Sequence, residues 1–410
     1  MDRDVLIVGG GLNGPALALA LAQAGITSAV IDARPARARA EAGFDGRAYA
    51  LALASVRLLA AIGIWPALAD KAQPMLAVEA ADARPGEAPA PFGLQFLSAE
   101  IEEGPLGQMV EDRHLYAAFL NAMAAAPAIL HLPGATVTAQ AIGPASATVT
   151  LADGRALTGR MIVGADGRAS GTAQRAGITR TGWGYGQTAL VAAIAHEHPH
   201  GGVARQVFLP GGPLAILPLT GNRSSIVWSE TDANAARIAA LDDAGFLEVL
   251  RPRFGTGLGE ISLAGPRFNY PLGLTLADSY VADRLALVGD AAHGVHPIAG
   301  QGLNLGLRDV AALAETLADA HRRGEDIGAG NVLDRYQGWR RFDATTLALG
   351  MDGVNRLFAT DNPLVRATRD LGMGLVQSIP ALRRTFMRQA AGLAPSPGTR
   401  LPRLMDGRPL

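Results

Sequence analysis

The sequence predicts an α/β protein: a parallel-sheet domain assembled from separated stretches of chain, an antiparallel sheet inserted into it (an α+β insertion), and a helical C-terminus. Three observations carry this. Val5–Val8 is a short apolar run that passes directly into glycines and then into a helix-forming stretch. From Thr188 to Glu230 the chain breaks into short β-type runs separated by Gly and Pro turns. Leu303–His321 and most of Val332–Gly392 have helical spacing. With 410 residues, 49% of them hydrophobic, the chain can bury two or three packed units. A formal net charge of −1 argues against nucleic acid as the main partner. The absence of cysteine excludes disulfides, thiolate zinc sites, a cysteine nucleophile and a redox dithiol. No run of about 18 apolar residues is found, and no basic leader precedes the first strand, so a cytoplasmic location is expected.

The opening segment is the most readable. Gly9, Gly11 and Gly14 fall in a G-x-G-x-x-G pattern after the Val5–Val8 run. Leu12–Ala24 has helical spacing, Gly25 is placed to stop it, and Ala29–Ile31 is a second strand ending in Asp32. Each part has a use. Gly9 permits the tight turn, Gly11 lets a pyrophosphate approach the backbone, and Gly14 lets helix and strand pack closely. The helix N-terminus offers free N–H groups to phosphates, and Asp32 can accept ribose hydroxyls. This is a Rossmann-like dinucleotide site. The pattern alone does not separate FAD from NAD, but an acid at the second strand end disfavours NADP here.

Further along, "GFDG" at 43–46 breaks the chain, and Ala50–Ile62 is an apolar helical run. Ala80–Pro91 reads as loop and Arg113–Ala126 as helix. Ala135–Leu151 alternates as a hairpin turning at Pro144 and Ser146. Met161–Gly164 is a short strand running into "ADGRAS", and Leu285–Val288 is another, running into "GDAAHGVHPIAGQGLNLGLRD". The tail from Pro395 to Leu410, rich in Pro and Arg, is expected to be loosely held. The nucleotide domain therefore comprises residues 1–75, 109–180 and 273–330. The antiparallel-sheet domain comprises 76–108 and 181–272, the C-terminal helices 331–395, and the tail 396–410.

Several residues invite sharper readings. His293 and His296, and the run "HEHPH" at 196–200, have metal-like spacing, but neither has a convincing acidic or cysteine partner. Structural roles are the expectation, with no metal. Asp166 and Asp290 sit after strands, where structural carboxylates are common, and no G-x-S-x-G or Ser/His/Asp arrangement is present.

Three motifs together resemble the flavin-dependent aromatic hydroxylases of the para-hydroxybenzoate hydroxylase class: "GGGLNG" with Asp32, "GADGRAS" at 164–170, and "LVGDAAHGVHPIAGQGLN" at 287–304. The runs "HPIAGQGLNLGLRDVAALAE", "RAYALALASVRLLAAIGIW" and "GGPLAILPLTGNRSSIVWSE" resemble the ubiquinone-biosynthesis branch in particular. The resemblance implies a noncovalent FAD reduced by NADPH or NADH, and transfer of oxygen to an aromatic ring through a flavin C4a-hydroperoxide. It implies that Gly9, Gly11, Leu12 and Gly14 hold the pyrophosphate and Asp32, where the family usually has Glu, the adenosine ribose. It places Arg47 and Arg113 against the cofactor, Asp166 and Gly167 near the pyrophosphate, and Asp290 on the ribitol. Pro297, Gly300, Gln301, Gly302, Leu303 and Asn304 would line the flavin ring. No dedicated catalytic acid or base is identified.

A reduced flavin is stabilised by a helix N-terminus with bare N–H groups, as "GQGLN" supplies. The intermediate needs a dry wall, for which Leu214–Leu219 is a candidate. Arg205, Gln206, Tyr185, Trp228 and Arg267 are sheet residues that can orient a phenol, but ordinary sheet or surface structure is the expectation for each. The implied partners are a lipophilic phenol and O2. Arg366, Arg369, Arg383, Arg384 and Arg388 lie among apolar residues of the C-terminal helices. They suit a solvated helical face, a peripheral contact with the inner face of the membrane, or an oligomer or multi-enzyme contact. Two rival functions remain at this level: a same-class hydroxylase of a small soluble aromatic, and an FAD-binding scaffold protein of a quinone-biosynthesis complex.

Overall fold

The hydrogen-bonding order of two sheets explains why the sequence alternates in character. The computed structural model describes residues 1–36, 44, 46–84, 86, 93–296, 300–359, 372–395 and 399–410. In the first sheet the order is Val281–Ala282, Leu285–Leu287, Met161–Gly164, Val5–Val8, Ser28–Asp32, Ile129–Pro133. All its pairings are parallel except the first. Three distant stretches of chain thus meet side by side. The Val5–Val8, Met161–Gly164 and Leu285–Leu287 strands are buried along their whole length, which is why they read as unbroken apolar runs.

The helices Asn13–Gln23 and Gln301–Arg322 pack together on this sheet. Their approach is set by small residues. A Cβ on Gly306 would lie 2.4 Å from Asn13 Nδ2, and one on Gly289 would lie 2.1 Å from the same atom. The "GDAAH" turn and both helix starts therefore converge on one amide.

The second sheet is antiparallel in its centre, as the turn-punctuated runs predict. Strands Phe268–Ala277, Arg180–His196, Arg223–Thr231, Gly212–Leu219 and Val203–Leu209 follow one another. Its outer face carries Leu190, Ile194, Leu214, Ile216, Ile226 and Trp228 against helices Asp232–Ala239 and Asp243–Phe254. Its other face shares a groove with the start of the Gln301–Arg322 helix.

Three expectations change. The Ala80–Pro91 loop begins later than expected: Ala77–Asp82 is a strand, paired in parallel with Val203–Phe208 and extended by Leu94–Leu97. Residues 50–52 are strand rather than helix, because Ala48–Ala52 pairs with Gly107–Glu111 before the helix Leu53–Ala61 starts. An Ala/Leu-rich run carries no local signal for that partner. The tail is packed. Leu404 and Met405 are buried, and Glu315, buried on the long helix, accepts from Arg400 Nη2 (2.6 Å) and Arg403 N (2.8 Å). A buried carboxylate needs cations, and the tail brings them.

Candidate active site

The groove between the two sheets has a floor made mostly of backbone. Gly9 adopts φ +119°, and a Cβ there would sit 2.2 Å from the Ala165 carbonyl oxygen. A Cβ on Gly14 would sit 2.0 Å from the Gly9 carbonyl oxygen. Gly11 differs, because a Cβ there meets no protein atom within 4 Å. It faces the groove, alongside Leu12 and Asn13. Asp32 is buried at the end of its strand, directly under Gly10, and its Oδ1 accepts from Arg34 N (3.1 Å).

The groove, about 390 Å3 in volume, continues past Gly167, Arg168 and Asp290 to Gly300, Gly302 and Leu303. Gly300 takes φ +62° immediately before the helix Gln301–Arg322. The free N–H groups of that first turn, with the positive end of the helix dipole, stand at this end of the groove.

The other expected residues divide. Asp290 lines the groove and accepts from Arg168 Nε (3.2 Å). Gly167 also lines it, but Asp166 is turned away: its carboxylate accepts from Thr172 N (3.0 Å), Thr172 Oγ1 (2.8 Å) and Ser170 Oγ (2.5 Å). Asp166 therefore fixes the turn that presents Gly167. Arg47 and Arg113 are not among the lining residues. Arg47 pairs with Asp112 (3.4 Å) and Arg113 with the buried Glu111 (2.7 Å). Asn304 acts as a clamp. It donates to the carbonyls of Ala50 and Gly300 and accepts from Ala52 N, all at 2.8 Å, binding the Ala48–Ala52 strand to the helix start. With Gln301 it lines a neighbouring cavity instead. Pro297 lies outside the described residues.

Beneath the floor runs a buried ion network that the sequence reading missed. Asp309 accepts from Gly289 N (3.0 Å) and Arg340 Nε (2.8 Å) and meets His293 Nε2 (2.5 Å). Arg340 and Arg308 both bind Asp343. Burial alone would raise the Asp309 carboxyl, but His293 and Arg340 outweigh it and hold it below the usual carboxylate range. His293 is thus structural. So are His196, bonded to His198 O and Ser224 Oγ, and His200, bonded to Leu219 O. Among the described residues no His, Asp and Glu cluster could hold a metal ion.

The roof is made of side chains. Gln206, Ala215, Leu217, Val227 and Tyr270 come from neighbouring strands of the antiparallel sheet. In the expected dry wall, Ala215 and Leu217 face the groove while Leu214 and Ile216 turn into the outer core, as strand alternation requires. Burial, with the Asp112 charge nearby, pushes the Tyr49 phenol well above its ordinary value, and burial also raises Tyr270. Burial and the Arg168 charge push His296 down to about 4. These groups stay neutral near pH 7, so none of the three is poised as a base. Tyr116 and Tyr270 lie outside every quoted motif, and Asn13 and Tyr49 sit in "GGGLNG" and "RAYALALASVRLLAAIGIW" without being singled out. Arg168 was visible only as part of "GADGRAS".

Opening beside this groove is a second cavity of about 250 Å3 with an almost wholly apolar lining that includes Met75, Phe96, Leu106, Phe208 and Phe386. Helix Pro380–Ala390 forms one wall, docked by Arg383 to Glu100 (2.7 Å) and Arg388 to Glu103 (2.8 Å). Of the sheet residues named as candidates, Trp228 is buried in the outer core and Arg267 is held by Leu241 O (2.7 Å). Arg205 pairs with Glu79 (3.3 Å), and Tyr185 stands edge-on to His296 (centroids 5.2 Å apart).

A split βαβ floor, a second acid-bearing turn and an antiparallel roof are the layout of a flavoprotein monooxygenase, and the chain belongs to that FAD-binding family. The family's "FAD binding domain" model matches residues 2–348. A ubiquinone hydroxylase, UbiL, from Rhodospirillum rubrum is 46% identical over 410 residues, covering 99% of this chain and 93% of the relative. The 3-demethoxyubiquinol 3-hydroxylase of Escherichia coli is 36% identical over 394 residues, covering 95% and 98%. The fold is also that of p-nitrophenol 4-monooxygenase PnpA from Pseudomonas putida. That structure superposes with a TM-score of 0.80 over 96% of this chain and 98% of the other, at 18% identity.

The residues fit FAD. Gly11 leaves backbone bare where a pyrophosphate must approach. The groove is lined at once by Gly11, Asp290 and Gly300, so Asp290 offers an acceptor within the same space.

Proposed function

We propose that the protein hydroxylates the aromatic ring of a polyprenyl-phenol in ubiquinone biosynthesis. NADPH or NADH is the reductant and O2 the oxygen source: one oxygen atom enters the ring C–H bond and the other leaves as water, while the nicotinamide gives up two electrons. FAD, when bound, carries those electrons and activates O2. The chain's own residues do the rest. Gly9 and Gly14 allow the tight packing of strand, turn and helix, and Gly11 leaves the floor bare where the cofactor would approach. The helix start at Gly300–Gly302 places partial positive charge at the far end of the groove. Ala215, Leu217 and Val227 keep water off that end.

The observation that carries the reading is the apolar cavity beside the groove. Its lining is almost wholly apolar, and the charge of its one arginine, Arg205, is offset by Glu79 at Nε (3.3 Å) with Nη1 left unpartnered, so its walls favour a lipophilic ring over a soluble aromatic acid. The names of the two relatives support the same substrate class. No described helix is long and apolar enough to cross a membrane. For a polyprenyl tail we therefore propose a peripheral contact through the C-terminal helices, where Leu375, Ile379 and Phe386 are exposed.

The test is metabolite profiling of a deletion strain. Accumulation of an under-hydroxylated polyprenyl-phenol, reversed by the intact gene but not by an Asp290→Ala copy, is the expected result. Unchanged quinone would sink the reading. Rescue by a flavin-free variant would favour the scaffold alternative.

A further inference from the structure

We infer that Gln206 orients the substrate, its side-chain amide holding the oxygen substituent of the ring where the groove and the apolar cavity meet. This deepens the hydroxylase reading and rests on it, since it needs a ring presented to the groove.

Gln206 lies on the Val203–Leu209 strand, where Ala204, Gln206 and Phe208 share one face by alternation. All three line the apolar cavity, and Gln206 also lines the groove. Its amide therefore stands at the junction of the two spaces. The cavity's other polar side chains each make at least one contact, although Arg205 Nη1 is buried without a hydrogen-bond partner. Arg205 is paired with Glu79 (3.3 Å), Asn304 clamps the Ala48–Ala52 strand, and Gln301 Nε2 donates to Ala390 O (3.5 Å). Among the described residues nothing hydrogen-bonds the Gln206 side chain.

An amide offers two N–H donors and a carbonyl acceptor, so it can hold a phenol, a phenolate or an alkoxy oxygen. In a cavity lined mostly by hydrocarbon, two flipped placements of a ring bury similar apolar area. One fixed hydrogen bond then decides which ring carbon faces the groove.

The experiment uses the full chain purified with FAD and offered both polyprenyl-phenols and small soluble phenols. The readouts are product formed per NAD(P)H oxidised, peroxide released, and the ring position of the new hydroxyl. We expect Gln206→Leu to keep wild-type flavin content and absorbance but to lower the product yield per NAD(P)H about tenfold. Alternatively it spreads the hydroxyl over more than one position. Gln206→Asn, which keeps an amide, should recover part of the coupling. Wild-type coupling and ring position in Gln206→Leu would overturn the inference. So would loss of FAD from that variant, which would make Gln206 a cofactor residue. A wild type that hydroxylates only the small phenols sinks the polyprenyl reading, while Gln206 is still judged by the same variant on those phenols. A wild type that hydroxylates no phenol of either kind sinks both.

Discussion

The floor and the roof of the groove are built on opposite terms. The floor is backbone held in place from below: glycines at 9, 11 and 14, a left-handed Gly300, and a buried ion network under Gly289. The roof is an antiparallel sheet whose side chains reach down, with Gln206, Leu217 and Tyr270 as its teeth. A cofactor common to a whole family can be met by backbone, because N–H groups and close approach are what it needs. A substrate that differs between relatives has to be read by side chains. The difference teaches where substitutions should abolish the protein and where they should only retune it.

The largest effect is expected beneath the floor. Arg340→Ala leaves Asp309 and Asp343 buried without their shared cation, and should cost about 3–5 kcal/mol of stability, measured by denaturant unfolding. Gly14→Ala should follow at roughly 3 kcal/mol, because its Cβ meets the Gly9 carbonyl at 2.0 Å and helix and strand must separate. Gly11→Ala sharpens the contrast. Its Cβ meets no protein atom within 4 Å, so unfolding should match the wild type while FAD binding, followed by flavin fluorescence, weakens tenfold or more (about 1.4 kcal/mol). Equal destabilisation by Gly11→Ala and Gly14→Ala would break the distinction between packing glycines and cofactor glycines.

At the cavity wall the effects should be smaller and confined to substrate. Phe386→Ala removes apolar wall from a half-exposed position and should raise KM for a polyprenyl-phenol about fivefold (roughly 1 kcal/mol) with FAD content unchanged. The smallest effect is a pH dependence. His296 is pushed down to about 4 in the folded protein, below its ordinary 6.5, so the unfolded chain binds the proton first. Its contribution is fully present above about pH 6.5 and is lost as pH falls toward 4. About 1 kcal/mol of stability should disappear between pH 7 and 5.5, and His296→Asn should flatten that slope.

Much of the floor was legible in sequence because it is a local pattern. Gly9, Gly11, Gly14 and Asp32 occupy one strand–helix–strand unit, and Gly300, Gly302 and Leu303 one loop and helix start. What the motifs did not show was how individual side chains spend their polar atoms. Asp166, Arg113 and Asn304 sit in the expected motifs but spend their polar atoms on Thr172, Glu111 and the Ala50–Ala52 backbone. Residue type cannot reveal which way a carboxylate or an amide turns. Tyr49, Tyr270 and Gln206 reach the groove only because strand pairing puts them there, from 49 to 270 along the chain.

By itself the sequence determined the class of domain and the cofactor's cradle, since steric freedom at glycine and the period of apolar residues are properties of a short stretch. Only the tertiary structure decided the rest. It joined Leu94–Leu97 and Ala77–Asp82 to the far sheet, set Asp309 between His293 and Arg340, and closed an apolar cavity with the C-terminal helix. Register, burial and the pairing of charges are long-range facts, fixed when distant segments compete for one another and for water.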